Sequence, residues 1–558
     1  MSQLRIAGGA VHDPANGVNG DVRDVCIDGG RIVAELPPEA RRLDARGMVV
    51  MPGGVDIHSH VAGGSVNLAR RLVPDEHDRD PAPAPDLWEG ASAGAPLSRS
   101  GTGGTVPSTF TTGYRYAGLG YTTVFDAAVA PLHARLSHAE FDDTPIVDGG
   151  FFVLMGNDEY LLRLIANGER QQAQEYAAWL LGAAGGYAIK IVNPGGVELW
   201  KQGSRDRTGL DTPIGAANVT PRAIIETLVD AGRALGLPHA AHIHCNNLGV
   251  AGNVETTIES MRAAAGRRAH FTHLQFHSYD RDQGGGWRSG ARKLIEYVNA
   301  HPETSGDVGQ VMFGPAMTLT ADGPVEYLLH KSSGRKWINV DIELETGCGI
   351  VPHTYREKAA VSALQWVIGL ELFLLSADPW RVVLSTDHPN GGSFMAYPEL
   401  IRLLMDRAYR NDRLTLVNQK QLAGSALADG IAREYTLNEI AIVTRAGPAR
   451  LLGLRDKGHL GVGADADVTV YVPDAGGDWA RMFSTPRYVV KGGTLVVEEG
   501  QLRRATAGRR LHVRPAYDAS IEPRLREFFD QYATVSFDNY PVDALRDAPC
   551  AVAAERTT

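Results

Sequence analysis

Two histidines one residue apart, His58 and His60, close the stretch MPGGVDIHSH at residues 51–60. Alternate side chains of an extended strand share a face, so both imidazoles point the same way. Histidine is the commonest metal ligand, and two of them at a strand end are half of a metal site. With 18 histidines in 558 residues, chance supplies about 0.6 such pairs, so the pair depends on its context.

Four further stretches end strand-like runs with groups suited to a two-metal site. Lys190 sits inside the apolar run YAIKIVNPGG. Burial disfavours the ammonium, and a neutral amine can combine with CO2 to form a carbamate whose two oxygens bridge two cations. A salt-bridged or snorkelling lysine is the plainer alternative. In PHAAHIHCNN, His242 and His244 share a face and His239 stands just before them; packed, hydrogen-bonded histidines would look the same. THLQFH offers His273 and His277, one expected as a ligand and one as an ordinary packed side chain. In LSTDHPNGG, Asp387 follows an apolar run and is either a helix cap or a metal ligand that also carries a proton. Each plain reading is comfortable alone. Their succession at the ends of consecutive strands is less so, because in a barrel those ends converge on one mouth.

The elements needed to gather these groups are visible in the pattern. From residue 121 to residue 392, apolar runs alternate with helical stretches in roughly eight β/α units, which favours a (β/α)8 barrel over an open sheet. Helices are expected near 158–183, 221–235, 254–265, 291–300 and 356–374. Strands are expected at 121–128, 186–196, 238–247, 269–277, 310–313, 337–342 and 381–392. Residues 1–50 read as short strands with turns, and 459–473 and 487–502 read the same way. Together the flanks make a composite β-sandwich domain, since each alone is small for a stable core. The expected division is 1–50 and 451–515 for that domain, 51–450 for the barrel and 516–558 for an extension. The long Pro-, Gly- and Ser-rich stretch 73–112 follows the His58/His60 strand and is either a lid or a surface insertion. The aromatics after Tyr517 suit wrapping of the barrel or docking on another protein chain.

Composition narrows the function. A hydrophobic fraction of 44% and a charged fraction of 22% are globular values. A net charge of -10 speaks against nucleic acid as the main partner. Cys26, Cys245, Cys348 and Cys550 are scattered, so neither a disulfide framework nor a thiolate zinc finger is indicated. There is no signal-peptide pattern and no apolar run of spanning length, which reads as a cytoplasmic protein. Neither a GxGxxG after a strand nor a Walker loop is present.

The order HxH, Lys, His, His, Asp along successive strands resembles the amidohydrolase superfamily. PGGVDIHSH resembles its opening strand, GYTTVFDA its second, and LGVGADADVTVY its return to the β domain. More closely, MPGGVDIHSHVAGG, GYAIKIVNPGG, HIHCNNLG and STDHPNGGSF resemble the family of hydrolase chains found in formylmethanofuran dehydrogenases and in bacterial formyltransferase/hydrolase complexes. The resemblance implies that His58, His60 and Asp387 hold one metal, that His244 and His273 hold the other, and that Lys190 bridges them as N6-carboxylysine. His244 is preferred to His242 because HCNN occupies the place where cyclic-amide relatives carry His-Ala-Glu-Asn; this departure leaves Asn246 and Asn247 without an assigned role. His and carboxylate donors favour zinc, although iron, manganese and nickel accept them too. The implied reaction is hydrolysis of N-formylmethanofuran, or of a methylofuran analogue, to formate and the free amine in one-carbon metabolism. Asp387 would take the proton of the attacking water and pass it to the amine. Implied partners are the formylated carrier and the other subunits of the complex. Two alternatives stay open: a dihydropyrimidinase-like cyclic amidohydrolase, which would turn over dihydrouracil, and a metal-free scaffold, which would contain no metal on elemental analysis.

Overall fold

The chain opens on five strands, β1 (Leu4–Asp13), β2 (Val18–Asp28), β3 (Arg31–Val33), β4 (Arg41–Asp44) and β5 (Val49–Pro52), in a computed structural model that describes residues 3–76, 104–203, 207–215, 219–335, 338–342 and 345–542. These strands cannot cover their own apolar face. They are completed near the other end of the sequence by β19 (Val468–Tyr471), β20 (Tyr488–Lys491), β21 (Thr494–Glu498) and β22 (Gln501–Leu502). The seam is the antiparallel pairing of β5 with β19, in which Val50 faces Val470 and Met51 faces Thr469. The result is one nine-stranded sheet, the composite flanking domain expected from the two halves of the sequence.

Between the flanks lie eight barrel strands: β6 (Gly54–Ser59), β7 (Tyr121–Val129), β8 (Asp148–Leu154), β9 (Ala188–Val192), β10 (Ala241–His244), β11 (Ala269–Phe271), β14 (Thr304–Asp307) and β18 (Val382–Val383). All neighbours pair in parallel. A parallel bridge between Ser59 and His388, with His60 N–H donating to His388 O at 2.6 Å, joins the two ends into a barrel. The strands are buried on both faces, as strands in a helix-covered parallel sheet must be. Close approach of the first two strands needs Gly53, where a Cβ would collide with Thr122.

Three expectations need correction. The run 269–277 is strand only to Phe271; His273 takes a left-handed φ of 34° and the chain turns into the short helix Leu274–His277. Residues 310–313 are not a strand, because the seventh barrel strand is β14 and ends at Asp307. The expected strand at 337–342 is β16 (Ile338–Ile342), but it belongs outside the barrel. With β15 (Gly314–Thr320) and β17 (Glu345–Tyr355) it forms an antiparallel sheet inserted before the last barrel helix, Ala360–Leu375. Farther out, β12 (Tyr279–Arg281) and β13 (Trp287–Ser289) make a hairpin. The single helix expected at 158–183 is two, Glu159–Ala166 and Arg170–Ala184, separated at Gly168 with φ 73°. Most of the 73–112 stretch, residues 77–103, lies outside the described residues.

Two devices hold the flanks on the barrel. The tail wraps its own barrel: Phe537 and Tyr540 stack on Trp179 at ring distances of 5.3 and 5.6 Å, and Phe528 packs on Tyr160. Beneath the barrel, Asp148 of β8 meets the flanking domain in a buried ion cluster. Lys457 Nζ lies 2.6 Å from Asp148, 3.1 Å from Asp465 and 2.8 Å from Asp467, while Lys491 Nζ reaches Asp148 and Asp467 at 2.8 and 2.9 Å. Arg509 also binds Asp148 at 3.0 Å, so three carboxylates face three cations. Burial works against the Asp467 charge, but Lys457 and Lys491 prevail and hold it at about 2. Asp148 is likewise held well below the usual range against its burial. Depressed carboxyl pKa values stabilise the fold above the unfolded value of about 3.9 and lose that contribution as pH falls toward 2. Lys457→Met strands a carboxylate in the cluster and is expected to cost about 3–5 kcal/mol, read by urea unfolding at pH 7. The loss should shrink as the pH is lowered from 4 toward 2. A variant as stable as the parent at pH 7 would show the cluster to be inert.

Candidate metal centre

Strand register explains why a lysine serves at Lys190. Lys190 is paired with His242, and Val192 with His244, so Lys190 starts one layer deeper in the barrel than His244. Only a long unbranched side chain reaches from that depth to the mouth. His58, His60, Lys190, His244, His273 and Asp387 all line one cavity of about 550 Å³ at the C-terminal ends of the strands. His242 does not line it.

The groups converge on Asp387. His58 Nε2 lies 2.9 Å and His60 Nε2 3.2 Å from the same oxygen, Asp387 Oδ1. Asn390 Nδ2 donates to that oxygen at 2.9 Å, and the next helical turn is capped by Ser393 rather than by Asp387. The His273 ring is 5.3 Å from His58 and 4.5 Å from His244. Asp387, with φ 50°, and His273 are non-glycine residues in the left-handed region, a cost that packing must hold in place. Part of that packing is Gly309, where a Cβ would collide with His273.

The electrostatics favour positive charge between His60, Asp126 and Asp387. Burial opposes the charged His60 imidazole, yet the two carboxylates raise it to about 9. Burial lowers Lys190 to about 7 despite Asp307, Asp387 and Asp126. It also lowers His244, His273 and His277 well below the usual histidine value, leaving neutral rings with lone pairs to offer. Asp387 is held well below the carboxylate range, its burial outweighed by His58 and His273.

The donor set fits two divalent cations. His58 Nε2, His273 Nδ1 and both ring nitrogens of His277 are buried without a hydrogen bond. Donor atoms of His58, His273 and Asp387 lie within 4.8 Å of one another, and so do those of His244, His273 and His277. Buried lone pairs left open are costly unless something occupies them. A third carboxylate group, Asp148, Asp465 and Asp467, is already neutralised by the cations described above.

Several residues around the site carry no motif. Asp126 accepts from the Val61 and Ala62 N–H groups at 2.8 and 2.9 Å and stands 3.6 Å from His60 Nδ1. Its sequence signal, an acid ending the apolar run YTTVF, is the same as that of Asp387. Asp322 holds His244 Nε2 at 2.9 Å and sits on the loop after β15. Asn246 and Asn247 gain a role: Asn246 Nδ2 donates to Asn193 Oδ1 and Pro194 O, and Asn247 clamps Thr208 through its N–H and C=O. They fasten loops at the mouth. The inserted sheet roofs the cavity with Thr318, Leu319, His353 and Tyr355, and Trp287 and Leu328 form a half-exposed apolar rim.

A parallel barrel with histidine, lysine and aspartate at the strand ends is the architecture of metal-dependent hydrolases. Residues 41–497 match the amidohydrolase family, and the chain belongs to it. It is 42% identical to Protein FwdA of Methanocaldococcus jannaschii over 558 aligned residues, 96% of each chain. It is 39% identical to the first of the Fhc proteins, the A chain of the formyltransferase/hydrolase complex of Methylorubrum extorquens, over 552 residues, again 96% of each. The crystal structure of the FhcABCD complex from Methylorubrum extorquens with methylofuran matches with a TM-score of 0.91 at 38% identity, covering 99% of this chain and 100% of that one. Among the described residues no helix is long and apolar enough to cross a membrane.

Proposed function

We propose that the protein is a two-metal amidohydrolase that cleaves a formylated furan-amine carrier of the methanofuran or methylofuran type to formate and the free amine. In this reading it works as one member of a formyltransferase/hydrolase complex. The carrying observation is the convergence of six donor residues, with unpaired buried nitrogens, on one cavity. The likeness to the Methylorubrum Fhc protein over nearly the whole chain supports the carrier and the assembly.

His58, His60 and Asp387 would hold one ion, His244 and His273 the other, with carboxylated Lys190 between them; zinc suits these donors. Two such ions, when bound, polarise an amide carbonyl and make water acidic enough to attack near neutral pH. Asp387 accepts the proton of the attacking water and returns it to the departing nitrogen, which could not leave as an amide anion. Asp126 and Asp322 orient His60 and His244. The apolar rim of Trp287 and Leu328 shields the reacting amide from bulk water and grips the apolar part of the carrier.

The purified chain, alone and with its co-purifying partners, is expected to contain about two ions and to release formate from a formylated furfurylamine. Absence of formate release by a metal-replete preparation, with dihydrouracil turned over instead, would move the assignment to the cyclic amides.

A further inference from the structure

His58 is the near end of a line of histidines running from the cavity into the barrel. His58 Nδ1 lies 2.9 Å from His242 Nε2, His242 Nδ1 lies 3.0 Å from His239 Nε2, and His239 Nδ1 lies 2.8 Å from the carbonyl oxygen of Leu451. All three rings are at most 1% exposed, so no solvent enters the line. Phe152 packs on His239 and His242 at 5.1 and 4.7 Å, and His270 packs on His242 at 4.6 Å, which keeps the rings from turning over.

A carbonyl oxygen only accepts. Leu451 stands in the last turn of the helix Gly447–Leu452, where carbonyls lack an intrahelical partner. His239 must therefore carry its proton on Nδ1, which leaves Nε2 as an acceptor. His242 must then donate through Nδ1 and accept at Nε2, and His58 must donate through Nδ1. The other groups at His58 Nδ1, Thr272 Oγ1 and Asp307 Oδ2 at 3.4 Å, can accept as well. We infer that the Leu451 carbonyl, acting through His239 and His242, locks His58 in the tautomer whose Nε2 lone pair faces Asp387. His239 and His242 are thus positioning residues that ready the site for a cation before one arrives. The line ends on a carbonyl rather than a base, so it orients protons and does not export them.

This inference rests on His58 being a metal ligand through Nε2, and the tests separate the two claims. Zinc dissociation constants of the full-length chain are measured by competition with a chromophoric chelator. His239→Phe and His242→Phe preserve ring packing but break the line, and each should weaken zinc binding 10–100-fold, the usual effect of losing a partner of a ligating histidine. His242→Gln packs worse, yet its amide oxygen accepts from His58 and its NH2 donates to His239, so it should bind zinc nearly as the parent does. A His239→Phe protein with parental affinity, or a His242→Gln protein as weak as His242→Phe, overturns the lock. Imidazole 15N spectra of the unsubstituted metal-free chain need no variant to fold. Nδ1 protonation of His58, His242 and His239 is expected, and an Nε2–H on His242 overturns the proposal. Failure of the unsubstituted chain to bind zinc would instead strike the metal reading, with the 15N spectra still judging the lock.

Discussion

Lys190→Ala is expected to yield a folded protein without its metal pair and without formyl-amide hydrolysis. The side chain spans the depth between the His242 layer and the cavity, and alanine cannot reach. Metal assistance contributes several kcal/mol at the transition state, and about 1.4 kcal/mol is a factor of ten, so turnover should fall about 10³-fold or more. Elemental analysis and formate release are the two readouts. Short carboxylates added to Lys190→Gly should restore part of both, since they supply the missing oxygens in the vacated space. Bicarbonate should matter for the parent too. Burial brings Lys190 to about 7, so the amine is charged below that pH and neutral above it. Zinc loading of metal-stripped protein should therefore improve from pH 6 to pH 8, and more so with bicarbonate. Two ions per chain and undiminished turnover in Lys190→Ala would end the bridging role.

The second large effect belongs to Asp387→Asn. Asparagine keeps the shape and the contact with Asn390 but cannot take a proton, and it weakens the hold of His58 and His60 on a shared cation. General acid–base help is worth 10²–10⁴-fold, and kcat should fall by about that much. Because metal loss would mimic the effect, kcat is compared at matched metal content. A metal-replete Asp387→Asn with more than about a tenth of parental kcat would deny Asp387 the proton-carrying role.

The site is readable in the sequence where a polar group interrupts an apolar strand. His58, His60, Lys190 and Asp387 stand out because burying such groups is costly without a purpose. Asp126 offers the same signal but does not stand out, since an acid after a strand is also an ordinary turn. Asp307 sits in TSGD, where nothing apolar precedes it, yet it faces His58 and His270 inside the barrel. Asp322 reaches His244 only because the inserted sheet folds back over the mouth, a long-range event that no local period encodes. The insertion itself is hidden for a related reason: alternation identifies an extended segment but not its partner, so β16 passes for a barrel strand. His242 and His244 share a face and differ in depth, which depends on the register with β9. The flanking sheet is more legible, because two strand-rich ends too small to stand alone have few ways to be covered.

The seam between β5 and β19 sets a timetable for biosynthesis. β5 leads directly into the first barrel strand, but its antiparallel partner is separated from it by more than four hundred residues of chain. While the ribosome is still making the barrel, the β5 edge stands open, and an unpaired edge invites pairing with another nascent chain. Maturation therefore waits on the last strands to emerge, and a polypeptide halted before Val468 would be left with a sticky, unfinished sheet.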